Sequence, residues 1–138
     1  MKFIIAGDAL FSSRNLKDTI DHKIVDLLKD SDAVFANAEF VTPQKKTPPA
    51  AGRGYVTAVR PETLDEFTDL NVHYLSFANN HTGDFGIAGM TDTLEAARDR
   101  GRQPLGVGES LHDARKPQFI DTRDGRIAII TIAITRSE

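Results

Sequence analysis

Leu75-Ser76-Phe77-Ala78-Asn79-Asn80-His81-Thr82-Gly83-Asp84-Phe85-Gly86 sets an apolar run directly against two carboxamides and an imidazole, then continues into Gly-Asp-Phe-Gly. The apolar run reads as a buried strand, and the polar residues as the turn at its C-terminal end. In open α/β sheets that end of the strands is where ligands bind. Asn79, Asn80 and His81 lose water beside a core, so each needs a polar partner. A divalent metal would supply one, since an Asn oxygen is a hard ligand and His ligates metals or passes protons. Ordinary turn chemistry is the competing explanation, with Asn79 and Asn80 bonding local backbone and His81 half exposed.

The 138 residues make one domain, long enough to bury a core. With 40% hydrophobic and 27% charged residues the composition is that of a soluble globular protein. A net charge of -3 offers no electrostatic footprint for nucleic acid. There is no cysteine, so disulfides, thiolate metal sites and a Cys nucleophile are excluded, and any metal must be held by oxygen and nitrogen. No apolar run approaches the ~20 residues of a membrane span. The apolar stretch at Phe3 to Ala6 is too short for a signal peptide. As written the chain is expected to be soluble and cytoplasmic by default.

Outward from the opening stretch, the pattern alternates strands and helices. Phe3 to Ala6 predicts a buried strand closed by a turn at Gly7-Asp8, and Asp18 to Asp30 a helix with Ile20, Ile24, Leu27 and Leu28 inward. Ala33 to Ala36 predicts the next strand, ending in Asn37-Ala38-Glu39. Thr42 to Gly54, rich in Pro and Gly, reads as a mobile functional loop. Its Lys45, Lys46 and Arg53 either meet an anionic substrate or form a solvated face. Pro61 opens a helix with Leu64, Phe67 and Leu70 inward, and Ile87 to Arg100 forms another, ended by Gly101. Pro117 to Asp121 and Ile127 to Ile134 read as strands joined at Arg123-Asp124-Gly125. The second is so apolar that it predicts a central strand covered on both faces. A central strand so near the end suggests that something follows it.

Asp8, Asn37 with Glu39, and Asn80 with His81 each follow a predicted strand, and strands connected in one sheet bring such ends to one rim. Two carboxylates, carboxamides and an imidazole there suit a hard-metal site, in which paired metals activate water and stabilise a phosphoryl transition state. Strand ends also favour polar residues for plain turn reasons.

Gly7-Asp8, Ala36-Asn37-Ala38-Glu39 and Ala78-Asn79-Asn80-His81-Thr82-Gly83-Asp84-Phe85-Gly86 occur in the order in which the CapA family, also called the PgsA type, carries its motifs. The likeness continues through Gly89, Thr93-Leu94, Gly106-Val107-Gly108, Ala114-Arg115-Lys116-Pro117 and the closing apolar strand, so the chain resembles that family over nearly its whole length. These are bacterial capsule and poly-gamma-glutamate synthesis proteins. The resemblance implies an α/β fold of the calcineurin-like metallophosphatase class, with stacked sheets flanked by helices and truncated after a central strand. It implies Asp8 and Glu39 as carboxylate ligands, Asn80 as a carboxamide ligand, and His81 as proton donor to a leaving group. Asn37 and Asn79 support them, and Asp84 orients His81 or fixes the turn. His22, His73 and His112 match no motif.

Two departures bear on that expectation. Leu10 stands where typical metallophosphatases carry a histidine ligand, and the further ligand histidines such families place beyond the last strand have no counterpart here. The cofactor implied is therefore a divalent ion or a pair of ions (Mn, Zn, Fe or Mg) with an incomplete ligand set in this chain. Three functions follow: a CapA-like protein of capsule or poly-gamma-glutamate synthesis and export, a metal-dependent phosphoesterase, or a metal-free binding or assembly module. The partners implied are an anionic polymer or phosphate-ester substrate, a membrane-associated synthesis complex at the cell surface, and a second copy recruited through an open sheet edge.

Overall fold

The computed structural model describes residues 1–11 and 14–134. Four strands, β1 (Phe3–Ala9), β2 (Ala33–Ala38), β3 (Val72–Ser76) and β4 (Gln103–Leu105), form one sheet in sequential order. Every pairing in it is parallel. Between them run α1 (Leu16–Thr19) and α2 (His22–Lys29), then a 3-10 turn (Pro61–Asp65) with α3 (Glu66–Asp69), then α4 (Gly86–Asp99). α5 (Leu111–Ala114) leads to a hairpin of β5 (Gln118–Thr122) and β6 (Gly125–Ile129), a separate antiparallel sheet. The fold is thus α/β with a parallel sheet flanked by helices, in agreement with the metallophosphatase-like class.

A sequential parallel order makes each crossover turn the same way, and the right-handed rule then lays all three on one face. Burial agrees with this. Val25 and Leu28 of α2, Leu64, Phe67 and Leu70 of the second crossover, and Ala96 and Ala97 of α4 share one core with Val34, Ala36, Val72 and Leu75 of the strands. The intervening row, Ile5, Phe35, Tyr74 and Gln103 in register across the strands, contains no buried residue. Ile5 is 71% exposed, so β1 is not the buried strand its apolar run suggests. Apolar composition reports the strand but not whether its second face is covered.

Several boundaries differ from expectation for local reasons. β1 continues through Gly7-Asp8, absorbing them in a register irregularity between Ile5 and Asp8. The single helix expected over Asp18 to Asp30 is two, because Ile20 is extended (ψ 140°) and Asp21 starts α2 by accepting from Lys23 N at 2.8 Å. The inner face is correspondingly Val25 and Leu28, with Ile24 and Leu27 half exposed. The helix after Pro61 begins as a 3-10 turn, yet its inner face is Leu64, Phe67 and Leu70 as predicted.

The closing segment is not a covered central strand. β6 stops at Ile129 and pairs with β5, while Ile130, Ile132 and Ile134 are 64%, 81% and 96% exposed. Residues 130–134 pass beside β4, since a side chain at Gly106 would run into Thr131 and, at 2.6 Å, Ala78. The hairpin turn reaches β1, where Asp124 pairs with the amino group of Met1. The end of the stretch beyond Ile134 lies outside the described residues.

The segment expected to be a mobile loop is a loop, but a tethered one. Thr42 N donates to Thr93 Oγ1 at 2.9 Å, Gln44 N to Asp92 Oδ2 at 2.9 Å, and Ala50 N to Asp84 O at 2.8 Å. A bridge joins Val41 to Ala58 and closes its base. α4 and the turn before it therefore hold the loop over the C-terminal rim of the sheet.

Candidate functional site at the strand ends

Because all four strands are parallel, the residues closing β1, β2 and β3 share one rim. Asp8 and Asn37 are register partners, and Asn37 Nδ2 donates to Asp8 Oδ1 at 2.8 Å. Asn79 Nδ2 donates to Asn37 Oδ1 at 3.1 Å and to Ala38 O at 2.9 Å, so β3's turn is laced to β2. Asn79 Oδ1 in turn accepts from His81 N at 3.0 Å, an Asx turn. Asn79 is thus the carboxamide that satisfies local backbone. Asn80 is exposed and makes no side-chain hydrogen bond among the described residues.

His81 is held on both ring nitrogens' sides. Nδ1 lies 2.8 Å from Asp84 Oδ2, and Nε2 lies 3.9 Å from Glu39 Oε1. A carboxylate only accepts at neutral pH, so Nδ1 carries the hydrogen and Nε2 is the nitrogen presented to the rim. Neutral, that nitrogen takes a proton; protonated, it gives one. Tyr55 stands edge-on to the imidazole with ring centroids 6.1 Å apart.

Asp84 is fully buried. Its Oδ2 accepts from Thr57 N at 2.8 Å as well as from His81, while Oδ1 has no hydrogen-bond partner among the described residues and faces Arg53 Nη1 at 3.7 Å. One carboxylate therefore fixes the imidazole and the returning arm of the 42–57 loop together. Sequence reasoning singled out Asp84 and Arg53 but missed Thr57 and Tyr55, which reach the site only through a loop closure that no periodic pattern announces.

The chain matches the family model described as Bacterial capsule synthesis protein PGA_cap over residues 2–138. It belongs to that family. Among its relatives, the PGA biosynthesis protein CapA of Bacillus subtilis is 30% identical over 118 residues, covering 86% of this chain and 31% of the relative. The Capsule biosynthesis protein CapA of Bacillus anthracis is 26% identical over 115 residues, 82% of this chain and 28% of the relative. A probable polyglutamine synthesis accessory protein of Mycobacterium tuberculosis is 35% identical over 72 residues, 52% of this chain and 19% of the relative. The chain thus spans between about a fifth and a third of the length of these relatives.

The whole rim, Asp8 to Asp84, falls within the PGA_cap match. Its donors suit a hard divalent ion in kind, two carboxylates, a carboxamide and an imidazole. As placed they do not close around one: Asn37 engages Asp8 Oδ1, and no group of three His, Asp or Glu side chains is arranged to hold a metal ion among the described residues. Leu10, two residues after Asp8, is 52% exposed. No helix is long and apolar enough to cross a membrane among the described residues.

Proposed function

We propose that this chain serves the synthesis of an anionic capsular polymer of the poly-gamma-glutamate kind, with the strand-end rim as its working site and His81 as the group that moves the proton. The observation that carries this reading is His81 itself. Its Nδ1 is fixed on a buried carboxylate and its Nε2 faces the rim beside Glu39, in a chain that belongs to a capsule-synthesis family. Nε2 takes a proton from an attacking group or returns one to a leaving oxygen. Asp84 keeps the ring in the tautomer that allows this, and Glu39 stabilises the imidazolium when it forms.

Two relatives carry names of PGA and capsule biosynthesis, which supports a position at the cell surface beside a membrane-associated synthesis complex. The test is genetic and quantitative. In the bacterium that encodes this chain, His81→Ala is introduced and surface-bound glutamate polymer is measured per cell, with the protein's level followed by immunoblot. The reading expects a loss of about tenfold or more at unchanged protein level. Wild-type polymer would overturn it.

A further inference from the structure

A cleft of a different kind lies apart from His81. It encloses about 1160 Å³ between the loop after β2 and the segment leading into the Pro61–Asp65 turn. Arg14, Lys45 and Arg60 stand on its walls, and Glu62 is its one acidic residue. These cations come from two connections, Arg14 from the one after β1 and Lys45 and Arg60 from opposite ends of the long one after β2, so their convergence is a product of the fold and not of a local charge run. None makes an ion pair among the described residues, whereas Lys2, Lys17, Arg100 and Arg126 each pair with an Asp. In a chain of net charge -3, three unpaired cations around one concavity focus a positive potential there.

The walls between the charges are apolar, formed by Pro43, Val59, Pro61 and Phe85. Phe85 directly follows Asp84, so one end of the cleft adjoins the turn that holds His81. A single phosphate or acetate would leave most of this space to water. The volume exceeds the ~300–1,000 Å³ of ordinary small-molecule pockets and suits a run of several linked units. Carboxylates at intervals answer the Arg and Lys heads, which bind such groups by charge-assisted hydrogen bonds. Methylene segments between them answer the Pro, Val and Phe surface.

We propose that this cleft binds an extended polycarboxylate, a stretch of glutamate polymer several residues long, and leads it past Phe85 toward the His81 rim. The inference rests on the polymer reading above, and deepens it by separating a holding site from the proton-moving site.

The experiment uses a fluorescently labelled γ-linked glutamate decamer as probe and the full chain, by anisotropy at low salt. The wild type is expected to bind, with affinity falling as salt screens the charges. Lys45→Glu with Arg60→Glu is expected to weaken binding at least tenfold, and Arg14→Ala severalfold. Lys29→Ala, which alters an exposed cation on α2 outside the cleft, is expected to leave it within twofold. Circular dichroism of each variant confirms that it is folded. Decamer binding is read apart from the polymer yield of His81→Ala cells: loss of yield without decamer binding sinks the cleft alone, and decamer binding through the cleft with normal yield sinks the role of His81 alone. Equal binding by the double variant and wild type overturns the proposal. So does displacement of the decamer by inorganic phosphate at the same carboxylate-equivalent concentration, which would make the cleft a site for small phosphates.

Discussion

Asp84 is the residue on which the imidazole and the loop both depend. Asp84→Ala strands the buried Thr57 N-H without an acceptor and should cost about 1–3 kcal/mol, read as a lower urea midpoint. Unchanged stability would mean that the loop is held elsewhere. Gly106 carries a second constraint, with φ at +72° and Ala78 and Thr131 against it, so Gly106→Ala should destabilise by about 1–3 kcal/mol in the same assay. A third prediction concerns pH. Partial desolvation of the exposed His73 on β3, with Arg102 nearby, holds its imidazole below its ordinary value of 6.5. A lowered base favours the folded state where it is neutral. Its contribution is full above about pH 6.5 and is lost as pH falls through the lower folded value. The urea midpoint of the wild type should therefore fall more steeply between about pH 7 and pH 5 than that of His73→Gln. Matching slopes would contradict this. At this scale the sequence predicted Asp8, Asn37 with Glu39, and Asn80 with His81 at one rim because each follows an apolar run, and Asp8 with Asn37 and His81 with Glu39 do lie near one another there. It left open which Asn is structural, since that depends on Asn37 and Ala38 across a strand pairing.

Elements were legible where their signals are local. Pro61 begins its crossover, Gly101 at φ +68° ends α4, and Arg123-Asp124 turns the final hairpin. Boundaries failed where a local hydrogen bond outweighs periodicity, as at Ile20 and Asp21. Asp21→Ala removes the side-chain acceptor at the start of α2 and should lower stability by about 1 kcal/mol in thermal unfolding. No change would mean that α2 is held by Val25 and Leu28 alone. The tethering of the 42–57 loop was invisible in the sequence because its partners, Asp84, Asp92 and Thr93, lie far along the chain. Phe11, Phe40 and Phe67 show the same dependence. Phe11 packs edge-on against Phe67 at 5.3 Å, joining the connection after β1 to α3 across more than fifty residues.

The whole molecule is a one-sided sheet with its core on the helix face and an apolar remainder on the other. Periodicity recognised the final apolar run but not that it is left uncovered, and Ile130, Ile132 and Ile134 stand exposed just after β6. Such a surface recruits partners. The purified chain should associate with rising concentration in sedimentation velocity, and Ile132→Lys should shift it toward the monomer; a monomer at all concentrations would contradict that. The claim that matters most concerns the rim, and a matched pair of histidines tests it. Cell-surface glutamate polymer is quantified from strains whose only copy of the gene carries His81→Gln or His73→Gln, at equal protein level. The account predicts a loss of about tenfold or more for His81→Gln and output within about twofold of wild type for His73→Gln. Wild-type output from His81→Gln, or an equal loss from both, would contradict it.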